Sequence, residues 1–224
     1  ILAKAKNPVI IAQRGTGTAE AFGRFADLVD QWGIPVVQYW AIQLAIGTEH
    51  PMFAGMDPAP WLKDADAVVV IDCLAPWSPD IHALRDDCKV VQVGQNPLYS
   101  RFPGRNFAAD ISLAGETGDV IMMLAEAMDR RQGECSDACE ARRSKVAAIN
   151  ADIRKKALAL ADAGAVDPMS KGYVSRCLSD AIANRPATVF SELGCPLEPM
   201  SLSAHSSWFQ EPHSGGLGWS FPAS

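Results

Sequence analysis

Short apolar runs alternate with longer amphipathic stretches along the first 130 residues of the chain. Runs that are rich in Val and Ile and show no alternation are typical of parallel strands buried on both faces. Strands are accordingly predicted at residues 8–12, 34–39, 67–72, 89–94 and 109–113. Strands and helices that alternate in this way indicate a doubly wound parallel sheet of the α/β class.

The amphipathic stretches predict the helices between these strands. Thr18 can cap a helix whose apolar positions recur every three or four residues, and Gly33 can end it, so residues 18–32 are predicted to form the first helix. A short helix is expected to begin at Ser78, where a proline follows in the first turn. A further helix is expected over residues 116–128.

The composition changes after residue 133. Residues 134–165 are rich in Ala and charged side chains and carry only a thin apolar stripe. This pattern predicts a helical linker that lies on a surface. The stripe consists of Val146, Ile149, Ile153, Ala157 and Leu160.

A second, incomplete α/β domain is predicted to follow the linker. A helix from about residue 169 to 184 would bury Val174, Leu178 and Ile182, and a strand would follow at residues 187–192. The chain is therefore divided into a central Rossmann-like domain at residues 1–133, the linker at 134–167 and the first part of the second domain at 168–224.

The charge and the cysteines limit the classes of function. The net charge of −6 and the pI near 5.2 argue against a nucleic-acid surface and favour a small-molecule partner. No apolar run approaches the roughly 20 residues that a membrane span needs. The six cysteines lack the spacing of a disulfide framework or a zinc site, so they are expected to stay reduced in the cytoplasm.

Residues 214–224 contain three glycines within four positions, interrupted only by Leu217. Glycine tolerates positive φ and lets the main chain approach a flat ligand closely. The segment resembles the Gly-Gly-Leu-Gly-aromatic-x-x-Pro-Ala pattern of thiamine-diphosphate enzymes in the acetolactate synthase and benzoylformate decarboxylase superfamily. Residues 48–56, 65–72 and 89–97 are similar to segments of that superfamily's central domain, so the resemblance covers nearly the whole chain.

The resemblance implies an enzyme that uses thiamine diphosphate and Mg²⁺ to form or cleave a bond next to the carbonyl of a 2-keto acid. By the same resemblance, Leu217 is the apolar side chain that holds the cofactor in a bent conformation. The main chain of Gly215 would accept a hydrogen bond from the cofactor's amino group, and Gly216 and Gly218 would form the tight turn.

His205 and His213 are candidates for the substrate pocket, because loops near a cofactor carry specificity. Glu192 is a third candidate, because the resemblance places an acidic residue near the cofactor there, and a structural hydrogen-bond role for it is equally open. The resemblance places the superfamily's catalytic glutamate before residue 1 and its metal-binding motif after residue 224. No catalytic or metal-binding residue is therefore assigned, and the chain alone is expected to be an inactive part of a lyase or transferase that is a homo-oligomer when intact.

Alternative interpretations stay open at this point. An acetolactate-synthase-like reaction is preferred to a benzoylformate-decarboxylase-like one. The turn at residues 14–17 precedes a helix and would suit the phosphate of FAD or ADP. Cys73 and Leu74 replace the charged cluster that contacts the flavin in some relatives, which disfavours FAD. A purely structural central domain is the third interpretation, and the loop at residues 99–105 is interpreted as a contact between domains.

Overall fold

The computed structural model describes residues 1–104, 107–134, 136–192, 194–211 and 218. The strands of its main sheet are β1 (Pro8–Ala12), β2 (Val36–Val37), β3 (Ala67–Ile71), β4 (Lys89–Gly94) and β5 (Ile111–Ala114). All neighbouring strands are parallel, and their order is β2-β1-β3-β4-β5. The predicted doubly wound parallel sheet is confirmed.

The centre of the sheet is buried on both faces, as its apolar runs predict. Every residue of β1 and β3 is buried, and Ile10 of β1 pairs with Val36 on one side and Val69 on the other. Strand β2 is shorter than predicted because the chain leaves the sheet after Val37, and the N–H of Gln38 donates to the carbonyl of Gly55 at 3.0 Å. All of β5, at the opposite edge, is exposed.

The helices in the described residues are α1 (Ala19–Trp32), α2 (Ala59–Leu62), α3 (Thr117–Asp129), α4 (Ser136–Ala163) and α5 (Lys171–Ile182). Helix α1 has the predicted ends. The Thr18 hydroxyl accepts the N–H of Ala21 at 3.1 Å, and Gly33 terminates the helix with φ at 60°. Both features are encoded locally, because a threonine cap and a left-handed glycine need no distant partner.

The prediction of a short helix beginning at Ser78 is wrong. Residues 79–81 form a turn, in which the N–H of His82 donates to the carbonyl of Ser78 at 2.8 Å. Ile81, the apolar residue that suggested a buried helix face, is 78% exposed. Without an apolar face to bury, a segment of this length has little to stabilise it as a helix.

The two faces of the sheet are covered in different ways. Alternate strand residues such as Ile10 and Val69 pack in one core with α1 and α3. The residues between them, such as Val9 and Val68, pack in a second core. That second core is closed by α2 and by side chains from loops, including Trp77.

The predicted linker is one continuous helix, α4, and it lies on the surface of the central domain. Its apolar stripe is only partly buried: Val146 is 3% exposed, whereas Leu160 is 76% exposed. The guanidinium of Arg142 donates to the carbonyls of Trp32 and Gly33, at the end of α1. The linker is therefore attached to the central domain at its amino-terminal half.

Helix α5 turns a different face inward from the one predicted. Val174 is 48% exposed and Leu178 is 36% exposed, while Ser175 and Ser179 are buried. The small serines allow close approach, and they hydrogen-bond: the N–H of Ser201 donates to the Ser179 hydroxyl at 2.9 Å. Tertiary contacts thus override the apolar periodicity in this helix.

A second sheet follows α5, made of the parallel strands β6 (Val189–Ser191) and β7 (Trp208–Gln210). Strand β6 falls within the predicted strand at residues 187–192, but β7 was not predicted. The N–H of Gln210 donates to the carbonyl of Ile42 at 2.8 Å, and Phe209 forms an antiparallel bridge with Gln43. The second sheet is therefore joined directly to a loop of the central domain.

The expectation that all cysteines are reduced is wrong for Cys139, which is disulfide-bonded. Free thiols are present at Cys73, Cys88, Cys177 and Cys195. The disulfide gives no support to the cytoplasmic location that was inferred from the cysteine spacing. Across the described part of the chain, no helix combines the length and apolar character of a membrane span.

Candidate functional site

The topological switch point of the main sheet lies between β1 and β3, and the space between the loops that follow these strands at the carboxyl edge is called the crevice here. The chain runs from β1 to β2 on one side and then crosses to β3 on the other, so the loops after β1 and β3 diverge at this point. Such switch points are the usual ligand sites of open parallel sheets. The loops bring Arg14, Asp72 and Tyr99 together here.

The carboxylate of Asp72 is the centre of this cluster. It accepts a hydrogen bond from the Tyr99 hydroxyl at 3.4 Å. Burial raises the pKa of Asp72, and the charge of Arg14 and the Tyr99 hydrogen bond offset this only in part. Burial and the nearby Asp72 charge also raise the pKa of Tyr99 to about 12. Both shifts favour the protonated, uncharged form of the two groups.

Asp72 and Tyr99 both adopt left-handed backbone conformations, with φ at 46° and 48°. This conformation is uncommon for residues other than glycine and is a frequent feature of functional sites. The loop at residues 99–105 thus contributes at least Tyr99 to the crevice. The interpretation of this loop as a contact between domains stays a prediction.

The glycine turn at residues 14–17 has a structural explanation. Gly17 has φ at 84°, and a Cβ there would lie 2.8 Å from the amide nitrogen of Gly118, in the first turn of α3. Glycine at position 17 therefore permits the close approach of α3 to the start of α1. This accounts for one glycine of the turn without any phosphate.

An aromatic pair lies at the same carboxyl edge of the sheet. Tyr39 and Trp40 follow β2, and their rings stack with centroids 5.6 Å apart. Trp40 is 46% exposed, and its φ of 51° is again left-handed. The exposed indole offers a planar apolar surface after β2, the strand that neighbours β1.

The glycine segment and the second sheet form the other candidate region. Glu192 directly follows β6, and its carboxylate accepts a hydrogen bond from the main-chain N–H of Gly218. Gly218 has φ at 87°, and nothing lies within 4 Å of the position that a Cβ would take. Sequence positions 26 residues apart are thus brought together at the end of β6. The predicted Gly215, Gly216, Leu217 and His213 lie outside the described residues.

His205 lies at the joint between the second sheet and α1. Its Nδ1 is 3.0 Å from the Ser206 hydroxyl, which also accepts a hydrogen bond from the Gln43 amide at 3.0 Å. The imidazole meets the edge of the Phe22 ring, with centroids 5.9 Å apart. Among the described residues the buried Nε2 has no hydrogen-bond partner. A role of His205 in the substrate pocket stays a prediction.

Arg154 of α4 holds the start of the second domain and was not found from the sequence. Its guanidinium donates to the carbonyls of Glu198 and Met200 at 3.1 and 3.0 Å. It also pairs with the carboxylate of Glu49 at 3.0 Å. Because the main partners are carbonyls 44 and 46 residues away, no local pattern indicates this role.

Neither candidate region contains an evident metal centre. Over the described ranges, no group of three or more His, Cys, Asp and Glu side chains is placed to hold a metal ion. The metal-binding motif implied by the resemblance was expected outside the chain and is not tested by this observation.

Comparison with known proteins gives the family. The family described as "Thiamine pyrophosphate enzyme, central domain" matches residues 1–124. A search of curated proteins finds no match. Among solved structures, the chain is similar to the thiamine diphosphate-dependent 4-hydroxybenzoylformate decarboxylase of Rhodococcus jostii RHA1, with 16% identity and a TM-score of 0.65. It is also similar to benzoylformate decarboxylase from Polynucleobacter necessarius, with 16% identity and a TM-score of 0.69.

Both structural matches cover 99% of this chain but only 40% of the decarboxylase chains. At this identity they establish the fold alone. The match of the family over more than half of the chain establishes the relationship. The chain therefore belongs to the family of thiamine pyrophosphate enzymes, and residues 1–124 match that family's central domain.

Proposed function

We propose that this chain is part of a thiamine-diphosphate-dependent enzyme that acts on 2-keto acids. It would contribute the central domain and the beginning of the domain that binds the cofactor. The observation that carries this proposal is the family match over residues 1–124 together with a similar fold over 99% of the chain in two such enzymes. The chain spans 40% of the length of those enzymes, so the activity is proposed for the complete protein.

Between the two reaction classes considered, we favour decarboxylation over an acetolactate-synthase-like condensation. Both solved structures named above are decarboxylases of benzoylformate or its 4-hydroxy derivative. Decarboxylation makes the complete protein a lyase, whereas condensation would make it a transferase. The two reaction classes can be distinguished experimentally by their products.

One described residue of the glycine segment supports a cofactor site. Gly218 has a positive φ and an open Cβ position, and its N–H donates to the carboxylate of Glu192. We infer that the main chain of Gly215, Gly216 and Gly218 and the side chain of Leu217 hold the cofactor, with Mg²⁺ bound to its diphosphate by residues beyond this chain. The cofactor would supply the nucleophile and the electron sink for loss of CO₂.

In this proposal, the residues of the chain position the cofactor and enclose the substrate pocket. Glu192 would hold the end of the glycine segment against β6 and so set the place where the cofactor ring lies. His205, which contacts Ser206 and Phe22, would border the substrate pocket. Precise placement of reacting groups accounts for a large share of rate enhancement in enzymes of this kind.

The test uses the complete protein that contains this chain, with thiamine diphosphate and Mg²⁺ added. We expect release of CO₂ and benzaldehyde from benzoylformate, and a large loss of cofactor affinity in Leu217→Ala. Leu160→Ala serves as the control, because Leu160 is 76% exposed on α4. Formation of acetolactate from pyruvate would instead support condensation, and no cofactor-dependent turnover of either acid would contradict the proposal.

A second candidate function is nucleotide binding at the crevice, by FAD or ADP. The observation that favours it is the cluster of Arg14, Asp72 and Tyr99 at the switch point. Titration of the chain with ADP and with FAD tests it by calorimetry. We expect a measurable affinity that falls in Arg14→Ala, and absence of heat with both nucleotides would leave the crevice as a structural feature.

A further inference from the structure

A cleft of about 430 Å³ lies at the amino edge of the main sheet, on the opposite edge from the crevice. Helix α4 forms one wall, and the starts of β1 and β2 together with α2 form the other. Most of the lining is apolar and consists of Pro8, Val9, Pro35, Pro60, Trp61, Ala141, Val146 and Ile149. A cavity of this volume is in the range of small-molecule sites, roughly 300–1,000 Å³.

Basic side chains are concentrated around the cleft. Lys6, Lys63, Arg142 and Lys145 line it, and Asp64 is its one acidic lining residue. None of the four basic side chains forms an ion pair with another described residue. The chain as a whole carries a net charge of −6, so this local excess of cations runs against the general charge. A cleft lined by one sign of charge and by apolar walls concentrates ligands of the opposite sign.

Arg142 contributes a charge that the protein does not neutralise. Its guanidinium is half-buried and donates to four main-chain carbonyls, those of Ala5, Lys6, Trp32 and Gly33. These bonds satisfy its N–H groups but add no negative charge. Burial lowers the pKa of Arg142, and the charge of Asp66 offsets this only in part. An anion in the cleft would stabilise the buried cation.

The acidic groups near the cleft do not pair with its lysines. The carboxylate of Asp66 accepts the main-chain N–H of Lys6 at 2.8 Å and that of Asn7 at 2.9 Å, which stabilises the entry into β1. Among the described residues, neither Asp64 nor Asp66 forms an ion pair with a lysine side chain of the cleft. The ammonium groups of Lys6, Lys63 and Lys145 stay available to a ligand.

The lining also indicates the chemical class of the ligand. Pro8, Pro35 and Pro60 have no N–H, so the main chain at these positions cannot donate to a phosphate. Recognition would come from the lysine ammonium groups, which act as mobile point charges. The Trp61 indole forms a flat apolar wall, and its N–H is already used by the carbonyl of Ala54 at 3.1 Å. We propose that the cleft binds a small aromatic carboxylate, with the ring against Trp61 and the carboxylate among the lysines.

Because α4 and the sheet edge form opposite walls, a bound ligand would contact both the linker helix and the central domain. A ligand that binds only the folded form raises the unfolding temperature by mass action. Occupancy would thus tie the linker to the central domain. The proposal does not depend on the reaction proposed above.

The test uses the 224-residue chain and the fluorescent aromatic sulfonate 1-anilinonaphthalene-8-sulfonate as probe. We expect saturable binding at low salt, displaced by benzoate but not by acetate or by the neutral benzyl alcohol. The variant Lys63→Glu/Lys145→Glu should lower the probe affinity about tenfold, and salt should weaken binding to the unaltered chain because it screens exposed charges.

The matched control is Lys155→Glu/Lys156→Glu, which changes the net charge equally and lies on α4, as Lys145 does, but outside the cleft. Its affinity should stay within about twofold of the unaltered chain. Circular dichroism checks that both variants are folded. The proposal is overturned if both variants lose affinity equally, if neither loses affinity, or if benzyl alcohol displaces the probe as well as benzoate does.

Discussion

Thr48 and Leu202 are joined by hydrogen bonds in both directions, which link the central domain to the segment between β6 and β7. The N–H of Thr48 donates to the carbonyl of Leu202 at 2.8 Å, and the N–H of Leu202 donates to the Thr48 hydroxyl at 2.9 Å. The same hydroxyl donates to the carbonyl of Met200 at 2.6 Å. Thr48 is 1% exposed, so one buried hydroxyl serves two partners across the junction.

Replacement Thr48→Val should destabilise the junction. Valine keeps the shape but leaves the N–H of Leu202 and the carbonyl of Met200 without their partner, which costs about 1–3 kcal/mol for a buried group. Urea unfolding followed by circular dichroism measures the loss. Thr48→Ser retains the hydroxyl and should lose much less; equal stability of the valine and serine variants would show that the hydroxyl does not join the domains.

A glycine inside α1 and the glycine that ends this helix should respond oppositely to alanine. Gly33 has φ at 60°, and a Cβ there would lie 2.6 Å from the amide nitrogen of Arg143 on α4. Gly23 is inside α1, and nothing lies within 4 Å of its Cβ position. Gly33→Ala should therefore lose more than about 1 kcal/mol from left-handed strain and the backbone clash.

Gly23→Ala should gain about 0.5–1 kcal/mol, because alanine is the better helix former. The midpoint of thermal unfolding compares the two variants directly. A stabilised Gly33→Ala would mean that α4 does not pack closely on the end of α1. A destabilised Gly23→Ala would mean that the outer face of α1 is covered.

The central domain could be predicted because its signals are local. The apolar runs of β1, β3 and β4 need only a buried sheet, and the ends of α1 are encoded by Thr18 and Gly33. The buried face of α5 could not be predicted, because Ser175 and Ser179 are buried by their hydrogen-bond partners and not by their own apolarity. Strand β7 is only three residues long and depends on its neighbours β6 and Ile42.

The candidate site also has one part that the sequence indicated and one part that it did not. Glu192 was selected because the resemblance puts an acidic residue there, and its bond to Gly218 places it beside the glycine segment. The cluster of Asp72 and Tyr99 brings together residues 27 positions apart, which no local spacing reveals. Its one sequence signal was the position of the two residues at the carboxyl ends of adjacent predicted strands.

Asp72 should give the protein a distinctive dependence of stability on pH. Its pKa is raised by burial in the folded protein, so the folded state holds its proton at pH values where the unfolded chain, with a pKa near about 3.9, has released it. The stabilising contribution of Asp72 is therefore fully present below that unfolded pKa. It is lost as the pH rises through the folded pKa.

Asp72→Asn removes this titration while keeping a residue that tolerates φ at 46°. Relative to the unaltered chain, the variant should become more stable as the pH rises from acid to neutral, as measured by urea unfolding across that range. Asp110→Asn is the opposite control, because Lys89 and the amide of Val90 lower the pKa of Asp110. Its relative stability should fall over the same pH range; parallel behaviour of the two variants would contradict the assignment.

The free thiols should differ widely in reactivity. Cys177 is exposed, whereas Cys73 and Cys88 are buried. Burial, reinforced by Asp66, Asp87 and Asp110, raises the pKa of Cys88 to about 11, so its thiolate fraction at pH 8 is very small. Because the thiolate is the nucleophile, iodoacetamide at pH 8 should modify Cys177 within minutes and leave Cys88 intact until urea is added.

Peptide mass spectrometry at successive times measures this order of modification. In Cys177→Ser the fast phase should disappear while the unfolding midpoint stays unchanged, because the side chain at this position is exposed. Fast labelling of Cys88 in the native chain would mean that the loop over the second core opens readily. Its protection would instead show that Trp77 and the neighbouring loop close this face of the sheet as firmly as a helix does, although α2 covers only part of it.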